Sequence, residues 1–207
     1  MENSPYWLEV AQRLQSLAQA GLTYSQNEYD IDRYEQLRSL SVDIIAKYSD
    51  TDETVLKSLL SAQSGYPTPK VDVRAVIFRE GKILMVKEKM DGNWSIPGGW
   101  ADIGLSPFEI AKKETREESG LDVIPIRLLA VHDKLKHNHP PDIFHAYKLF
   151  ILCFEKGGKL APGMETLDAR FFSPDELPPL SVERNTREQL ELMFEYYQNP
   201  AKATICD

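Results

Sequence analysis

The sequence predicts an α/β protein, a sandwich of helices around a mixed sheet that is preceded by a small all-α domain. Two observations predict this fold. Apolar residues recur at helical spacing through about the first 60 of the 207 residues, and after residue 70 they alternate as in strands. A segment rich in glycine and proline, residues 64–70, separates the two patterns. We therefore expect a helical domain over residues 1–66 and a second domain over residues 67–207.

Three helices are expected in the N-terminal domain. The first should stop at Gly21, and the second should follow a cap at Asp30 or Asp32. The third should begin at Asp50, because Glu53 follows three residues later as in a capping box. So small a unit buries little apolar surface alone. We expect it either to complete the core of the second domain or to form a dimer.

The second domain should begin with a hairpin over residues 71–77 and 83–86, turning at Gly81. Ser106 and Glu109 then form a capping box with Pro107 in the first helical position, which predicts a helix that ends at Gly120. Further strands are expected over residues 121–131, 144–154 and 169–172. A final amphipathic helix is expected over residues 181–197.

The composition excludes several classes of protein. The 24 Lys and Arg against 32 Asp and Glu give a net charge of −8, which argues against a nucleic-acid polymer as the main partner. The longest apolar run covers only residues 149–154, far short of the roughly 20 residues that span a bilayer. No secretory signal pattern opens the chain. Two cysteines make no disulfide framework, so we expect a cytoplasmic protein without membrane contact.

Three carboxylates share one face of the helix that follows Ser106. Glu114, Glu117 and Glu118 are spaced i, i+3, i+4, so they repel one another, and the helix dipole disfavours them near its C-terminus. A hard divalent cation would reverse both penalties, and oxygen ligands suit Mg²⁺ or Mn²⁺. Spacing alone leaves open a solvated acidic face paired with neighbouring lysines and arginine.

Residues 98–121 resemble the Nudix box: glycine, five residues, Glu, seven residues, then Arg-Glu-aliphatic-x-Glu-Glu-x-Gly-aliphatic. Residues 94–99 also match the usual approach to the box. The chain departs from it at three positions, with Leu105 for the first Glu, Lys113 for the Arg and Thr115 for an aliphatic residue. Lysine cannot reproduce the bidentate fork of arginine, so we expect reduced or retuned catalysis.

The resemblance implies a Nudix-type α/β/α sandwich that hydrolyses a diphosphate linkage with Mg²⁺ or Mn²⁺. The implied metal ligands are the Gly98 carbonyl, Glu114, Glu117 and Glu118, with Glu117 and Glu118 also taking part in catalysis. In this family a later loop often supplies one more carboxylate as ligand or general base. Here either Glu165 or Asp168 fits that role.

The N-terminal segment and residues 136–148 resemble Nudix proteins that act on X-linked nucleoside diphosphates. These are similar to ADP-ribose and CDP-choline pyrophosphatases, which implies a small nucleotide substrate and cleavage to a nucleoside monophosphate and X-phosphate. We expect a homodimer, formed through the helical domain. Two alternatives stay open. In the first, the chain is a Nudix hydrolase whose substrate is a nucleotide-sugar or another nucleotide. In the second, the chain is a catalytically weakened nucleotide-binding or sensor protein.

Four residues are candidates for substrate binding. Arg74 and Lys87 belong to the predicted hairpin near the box, where they can meet phosphate. His139 lies in the histidine-containing segment between residues 132 and 145, and Tyr147 follows it as a possible stacking partner for a base. A zinc cluster of these histidines is the least favoured interpretation, because no cysteine lies near. A loop at the substrate, or ordinary surface histidines, fits better.

Overall fold

A computed structural model describes residues 5–207 of the chain and divides it into two compact units. One unit ends at Pro69 and also contains Pro141–His145. The other comprises Lys70–Pro140 and Ala146–Asp207. The first four residues of the predicted domain 1–66 lie outside the described part.

The described residues of the first unit form three helices, α1 (Tyr6–Tyr24), α2 (Glu28–Tyr48) and α3 (Glu53–Ser61). Their buried apolar residues form one core, against which Ile143 of the added segment packs. The Gln12 side chain also donates a hydrogen bond of 2.8 Å to the Asp142 carbonyl. The segment 141–145 therefore belongs to the helical unit by its contacts. The core consists of Ala11, Val42, Ile45, Leu56 and Leu60.

The predicted stop of the first helix at Gly21 is wrong, because α1 continues to Tyr24. Gly21 instead allows α1 and α2 to pack closely together. A Cβ at this position would lie 2.3 Å from the ring of Tyr34 on α2, so only glycine lets the ring approach. A glycine inside a helix costs about 1 kcal/mol relative to alanine, and the close packing of the ring offsets it.

The predicted caps of the next two helices are also wrong. Asn27 caps α2, accepting hydrogen bonds from the backbone N–H groups of residues 29 and 30. Asp52 caps α3 in the same way through residues 54 and 55. A capping side chain must precede the N–H groups that it receives by two or three residues. Asp30 and Asp32 lie inside α2, and Asp50 lies too far ahead of α3.

The second unit is built on a mixed sheet of eight strands in the order β3-β2-β1-β6-β5-β8, with β4 paired to β1 and β7 to β2. The pairs β1–β6 and β5–β8 are parallel, and the other pairs are antiparallel. Helices α4 (Pro107–Ser119) and α5 (Arg187–Gln198) flank it. The strands are β1 (Lys70–Arg79), β2 (Lys82–Glu88), β3 (Trp94–Ser95), β4 (Gly98–Trp100), β5 (Leu121–Asp133), β6 (Ala146–Gly158), β7 (Thr166–Phe172) and β8 (Ile205–Cys206).

Alternation along β1 builds one apolar core on each side of the sheet. Ala75 and Ile77 join the core that includes Ile110 of α4. Val76 joins the core that includes Leu190 of α5. Successive side chains of a strand point to opposite faces, so a run of buried residues serves both layers. The mixed sheet between two helices confirms the predicted fold class.

The elements of this unit follow the sequence closely, with shifts at their ends. The predicted hairpin, the helix after Ser106 and the long strands are confirmed, and β6 and β7 begin at Ala146 and Thr166. The last helix begins at Arg187, because Thr186 and Gln189 form a capping box there. Among residues 5–207, no helix combines the length and the hydropathy that crossing a membrane requires.

Candidate active site

The C-terminal half of α4 carries the three glutamates, and two of them, Glu114 and Glu118, lie next to β4. The capping box of Ser106 and Glu109 starts the helix, and Gly120 ends it in the left-handed conformation at φ 72°. Glu118 Oε2 accepts a hydrogen bond of 2.9 Å from the Gly98 backbone N–H. On the neighbouring residue, a Cβ at Gly99 would lie 3.3 Å from Glu114 Oε2. The helix and the glycine pair of β4 therefore form one site.

Gly98 can only be glycine in this fold. Its φ is +144°, and it pairs with Arg74 in the register of β1 with β4. A Cβ there would lie 2.0 Å from the Val73 carbonyl oxygen and 2.9 Å from the Arg74 Cα. Any side chain would push β4 away from β1. The close approach of the two backbones thus sets where the Gly98 N–H meets Glu118.

Glu118 is buried, with 6% of its surface exposed. Burial raises the pKa of its carboxyl to about 8, against the opposing effects of the Arg74 charge and the Gly98 N–H. The charges of Glu88 and Glu114 raise the pKa further. A carboxylate held in such surroundings is well prepared to accept a cation, which would remove the cost of its negative charge.

Glu88 is a carboxylate at this site that the sequence analysis missed. It is buried at the end of β2, accepts a hydrogen bond from Ser95 Oγ and lies 3.1 Å from Nε of Arg184. The sequence offered one indication of Glu88, which is that a charged residue ends the otherwise largely apolar strand β2. That signal does not say which element the carboxylate will face.

The Lys113 ammonium group lies among three carboxylates. Its nitrogen is 3.1 Å from Asp102 and 3.1 Å from Glu114. It is 3.2 Å from Glu117. Hydrogen bonds to these groups raise the pKa of Lys113, so the ammonium stays charged. The carboxylates thus already gather around one positive charge, and an all-oxygen donor set of this kind fits Mg²⁺ or Mn²⁺.

Arg74 lies buried at the base of the site. Its Nε donates to Asp72 at 2.9 Å, and its Nη1 donates to the Ile96 carbonyl at 3.2 Å. Lys148 pairs with the same aspartate, and its burial lowers its pKa to about 8. Because the guanidinium is already bound to protein groups, Arg74 is better placed to support the Gly98 segment than to meet phosphate. We propose that supporting role for it.

The loop before β7 crosses the C-terminus of α4. Thr166 Oγ1 donates to the Glu118 carbonyl at 2.8 Å, and a Cβ at Gly163 would lie 1.7 Å from the Glu117 carbonyl oxygen. Glu165, between these two contacts in the chain, is exposed. Asp168 lies further along β7 and forms an ion pair of 2.6 Å with Arg170. The segment that contains Glu165 therefore lies against the end of α4, and we propose Glu165 as the later carboxylate.

The other predicted substrate residues lie on different elements. Lys87 is on β2, opposite Trp94 and Asp168 in the strand register. Tyr147 is on β6 and is 39% exposed. His139 Nδ1 lies 2.7 Å from the Val182 carbonyl, and burial lowers the pKa of the ring to about 4. Their contact with substrate stays a prediction.

Two histidines lie close to a carboxylate away from the glutamates. Single ligand atoms of His132, His137 and Asp207 lie within 4.8 Å of one another. The imidazole rings are stacked, with centroids 3.9 Å apart and planes 13° from parallel. Stacked rings direct their lone pairs along parallel planes, so the two nitrogens do not converge on one ion. We assign no metal site here.

Both units of the chain resemble known protein domains. A model described as a NUDIX domain matches residues 68–193, and one described as a UDP-X-like, N-terminal oligomerisation domain matches residues 5–60. A Bacillus subtilis protein named "Putative ADP-ribose pyrophosphatase YjhB" is 52% identical over 201 residues, 97% of each chain.

Two of the solved structures that resemble the chain are at least 34% identical to it. An ADP-ribose pyrophosphatase from Streptococcus suis is 47% identical with a TM-score of 0.62, covering 68% of this chain and 100% of that one. A UDP-X diphosphatase is 34% identical with a TM-score of 0.64, covering 97% of this chain and 98% of that one.

Proposed function

The chain belongs to the Nudix hydrolase family, and from that membership we propose that it is a metal-dependent pyrophosphohydrolase of nucleoside diphosphates linked to X. The products would be a nucleoside monophosphate and X-phosphate. The observation that carries this proposal is the buried Glu118 carboxyl, which accepts a hydrogen bond of 2.9 Å from the Gly98 N–H and lies near the charges of Glu114 and Glu88. A catalytically weakened binding protein would have no need to keep mutually repelling acids together.

We propose that Glu114, Glu117 and Glu118 hold Mg²⁺ or Mn²⁺, with the Gly98 carbonyl as a further ligand. When bound, the ion supplies positive charge beside the diphosphate. The chain orients this site through the Gly98 N–H, which binds Glu118 at 2.9 Å. Glu117 and Glu118 take part in catalysis. Glu165 is the carboxylate that accepts a proton from the attacking water.

ADP-ribose is the first candidate substrate. The relative at 52% identity is named "Putative ADP-ribose pyrophosphatase YjhB", and the structure at 47% identity is that of an ADP-ribose pyrophosphatase. A UDP-linked substrate is the second candidate, because the UDP-X diphosphatase structure covers 97% of this chain. CDP-choline rests on the sequence resemblance alone. Turnover of the three compounds, with Mg²⁺, Mn²⁺ or excess EDTA, tests the proposal. Turnover of none with either metal would contradict it.

We propose that the helical unit forms a homodimer. The matched domain description names oligomerisation. Large apolar side chains are exposed on its helices, among them Leu17, Leu40 and Leu59. Light scattering of the full chain should give twice the mass of one chain, and removal of residues 1–66 should give a monomer. An unchanged dimer after that removal would contradict the role of the helices. The cytoplasmic location stays a prediction.

A further inference from the structure

Two of the positions that depart from the Nudix box, Leu105 and Lys113, are both linked to Asp102. Leu105 stands where the resemblance calls for Glu, and it offers no charge. The Leu105 backbone N–H donates to the Asp102 carbonyl at 3.3 Å, a turn that precedes α4. The Asp102 carboxylate lies 3.1 Å from the Lys113 ammonium. An acid three residues earlier thus pairs with the lysine that replaces the arginine.

The choice of lysine changes how this cluster is neutralised. A guanidinium fork pairs with one carboxylate through two parallel hydrogen bonds. An ammonium is a compact point charge with three rotatable donors. Lys113 accordingly lies at nearly equal distances from Asp102, Glu114 and Glu117. One positive charge therefore lies within 3.1–3.2 Å of three carboxylates.

We propose that Lys113 is the resident counter-ion of the metal site and that Asp102 holds it when a divalent cation binds Glu114 and Glu117. The identity of the incoming ion as a divalent metal rests on the proposed function. The Lys113 ammonium would leave Glu114 and Glu117 if they held a divalent ion, because like charges repel. Asp102 is the partner that remains. It does not belong to the ligand set implied by the box, and 55% of its side chain is exposed.

The two residues then act on metal affinity in opposite directions. Lys113 competes with the metal for Glu114 and Glu117, so its removal should tighten metal binding. Asp102 draws the ammonium away from the same glutamates, so its removal should weaken metal binding. A loss of structure around α4 would weaken binding in both cases. Opposite signs therefore separate this role from simple structural damage.

The test is Mn²⁺ binding to the full chain, followed by the electron paramagnetic resonance signal of free Mn²⁺. We expect Lys113→Gln to lower the Kd about tenfold and Asp102→Asn to raise it about threefold. In the Lys113→Gln background, Asp102→Asn should have no further effect. Lys112→Gln is the matched control, since it removes the same charge from the adjacent exposed position and should leave the Kd unchanged.

Stability without metal gives a second readout. In EDTA, Lys113→Gln should lower the Tm, because three carboxylates lose their shared counter-ion, and Lys112→Gln should not. An unchanged Kd in Lys113→Gln, or a weaker one, overturns the proposal. An effect of Asp102→Asn that persists without Lys113 overturns the role of Asp102. If the unaltered chain binds no Mn²⁺, the proposed metal-dependent function fails, and this proposal fails with it.

Discussion

A single methyl group at Gly98 should damage both stability and activity. The Cβ of Gly98→Ala would lie 2.0 Å from the Val73 carbonyl oxygen, and φ +144° is a conformation that alanine rarely adopts. The conformational strain costs about 1–3 kcal/mol. Displacement of the crowded backbone costs about 1–3 kcal/mol more. We expect a loss of about 4 kcal/mol in the free energy of unfolding of the second unit, measured by urea denaturation.

Gly92 provides the control for this prediction. It also has a positive φ, +70°, but a Cβ there would meet nothing within 4 Å. Gly92→Ala should therefore cost only the conformational part, about 1 kcal/mol. Gly98→Ala should also lose turnover, because the N–H that binds Glu118 moves with β4. Equal stability of the two variants would refute the close approach of β4 to β1.

Three further predictions concern the second unit. Burial lowers the pKa of His132 to about 4 from 6.5, so its contribution to stability is complete above pH 6.5 and is lost as the pH falls through 4. His132→Gln should therefore reduce the difference in unfolding free energy between pH 7 and pH 4 by up to about 3 kcal/mol in urea titrations. Ser106→Ala removes the capping box of α4 and should cost about 1 kcal/mol, seen as a lower Tm. Asp72→Asn leaves Arg74 and Lys148 buried without their shared anion and should cost about 3–5 kcal/mol by denaturant unfolding.

Local signals made α4 predictable from sequence. Ser106, Glu109 and Gly120 act on backbone groups within one helical turn, so their spacing alone places both helix ends. The three glutamates then share a face for any helix in this register. The central residues of the candidate site could therefore be predicted from one short segment of sequence. The resemblance to the Nudix box then implied metal-dependent hydrolysis of a diphosphate.

Long-range contacts decided what the sequence did not show. Gly21 reads as a helix stop, yet it makes room for a ring on another helix. From the sequence, Arg74 was expected to be an accessible cation, but its side chain is buried and donates to Asp72 and to the Ile96 carbonyl. Glu88 meets Arg184, nearly a hundred positions along the chain. No periodicity or spacing encodes partners that come together only through the sheet topology.

The sharpest measurement is the turnover of ADP-ribose by the full chain and by Glu118→Gln, with Mg²⁺ or Mn²⁺. Glu118→Gln keeps the size of the side chain and one oxygen that can accept from the Gly98 N–H, but it removes the carboxylate proposed to hold the ion. Glu191→Gln makes the same change at an exposed position of α5 and serves as the control. We predict metal-dependent turnover that falls by at least about a hundredfold in Glu118→Gln and is unchanged in Glu191→Gln. Equal turnover in Glu118→Gln, or turnover that persists in excess EDTA, would contradict the proposed function.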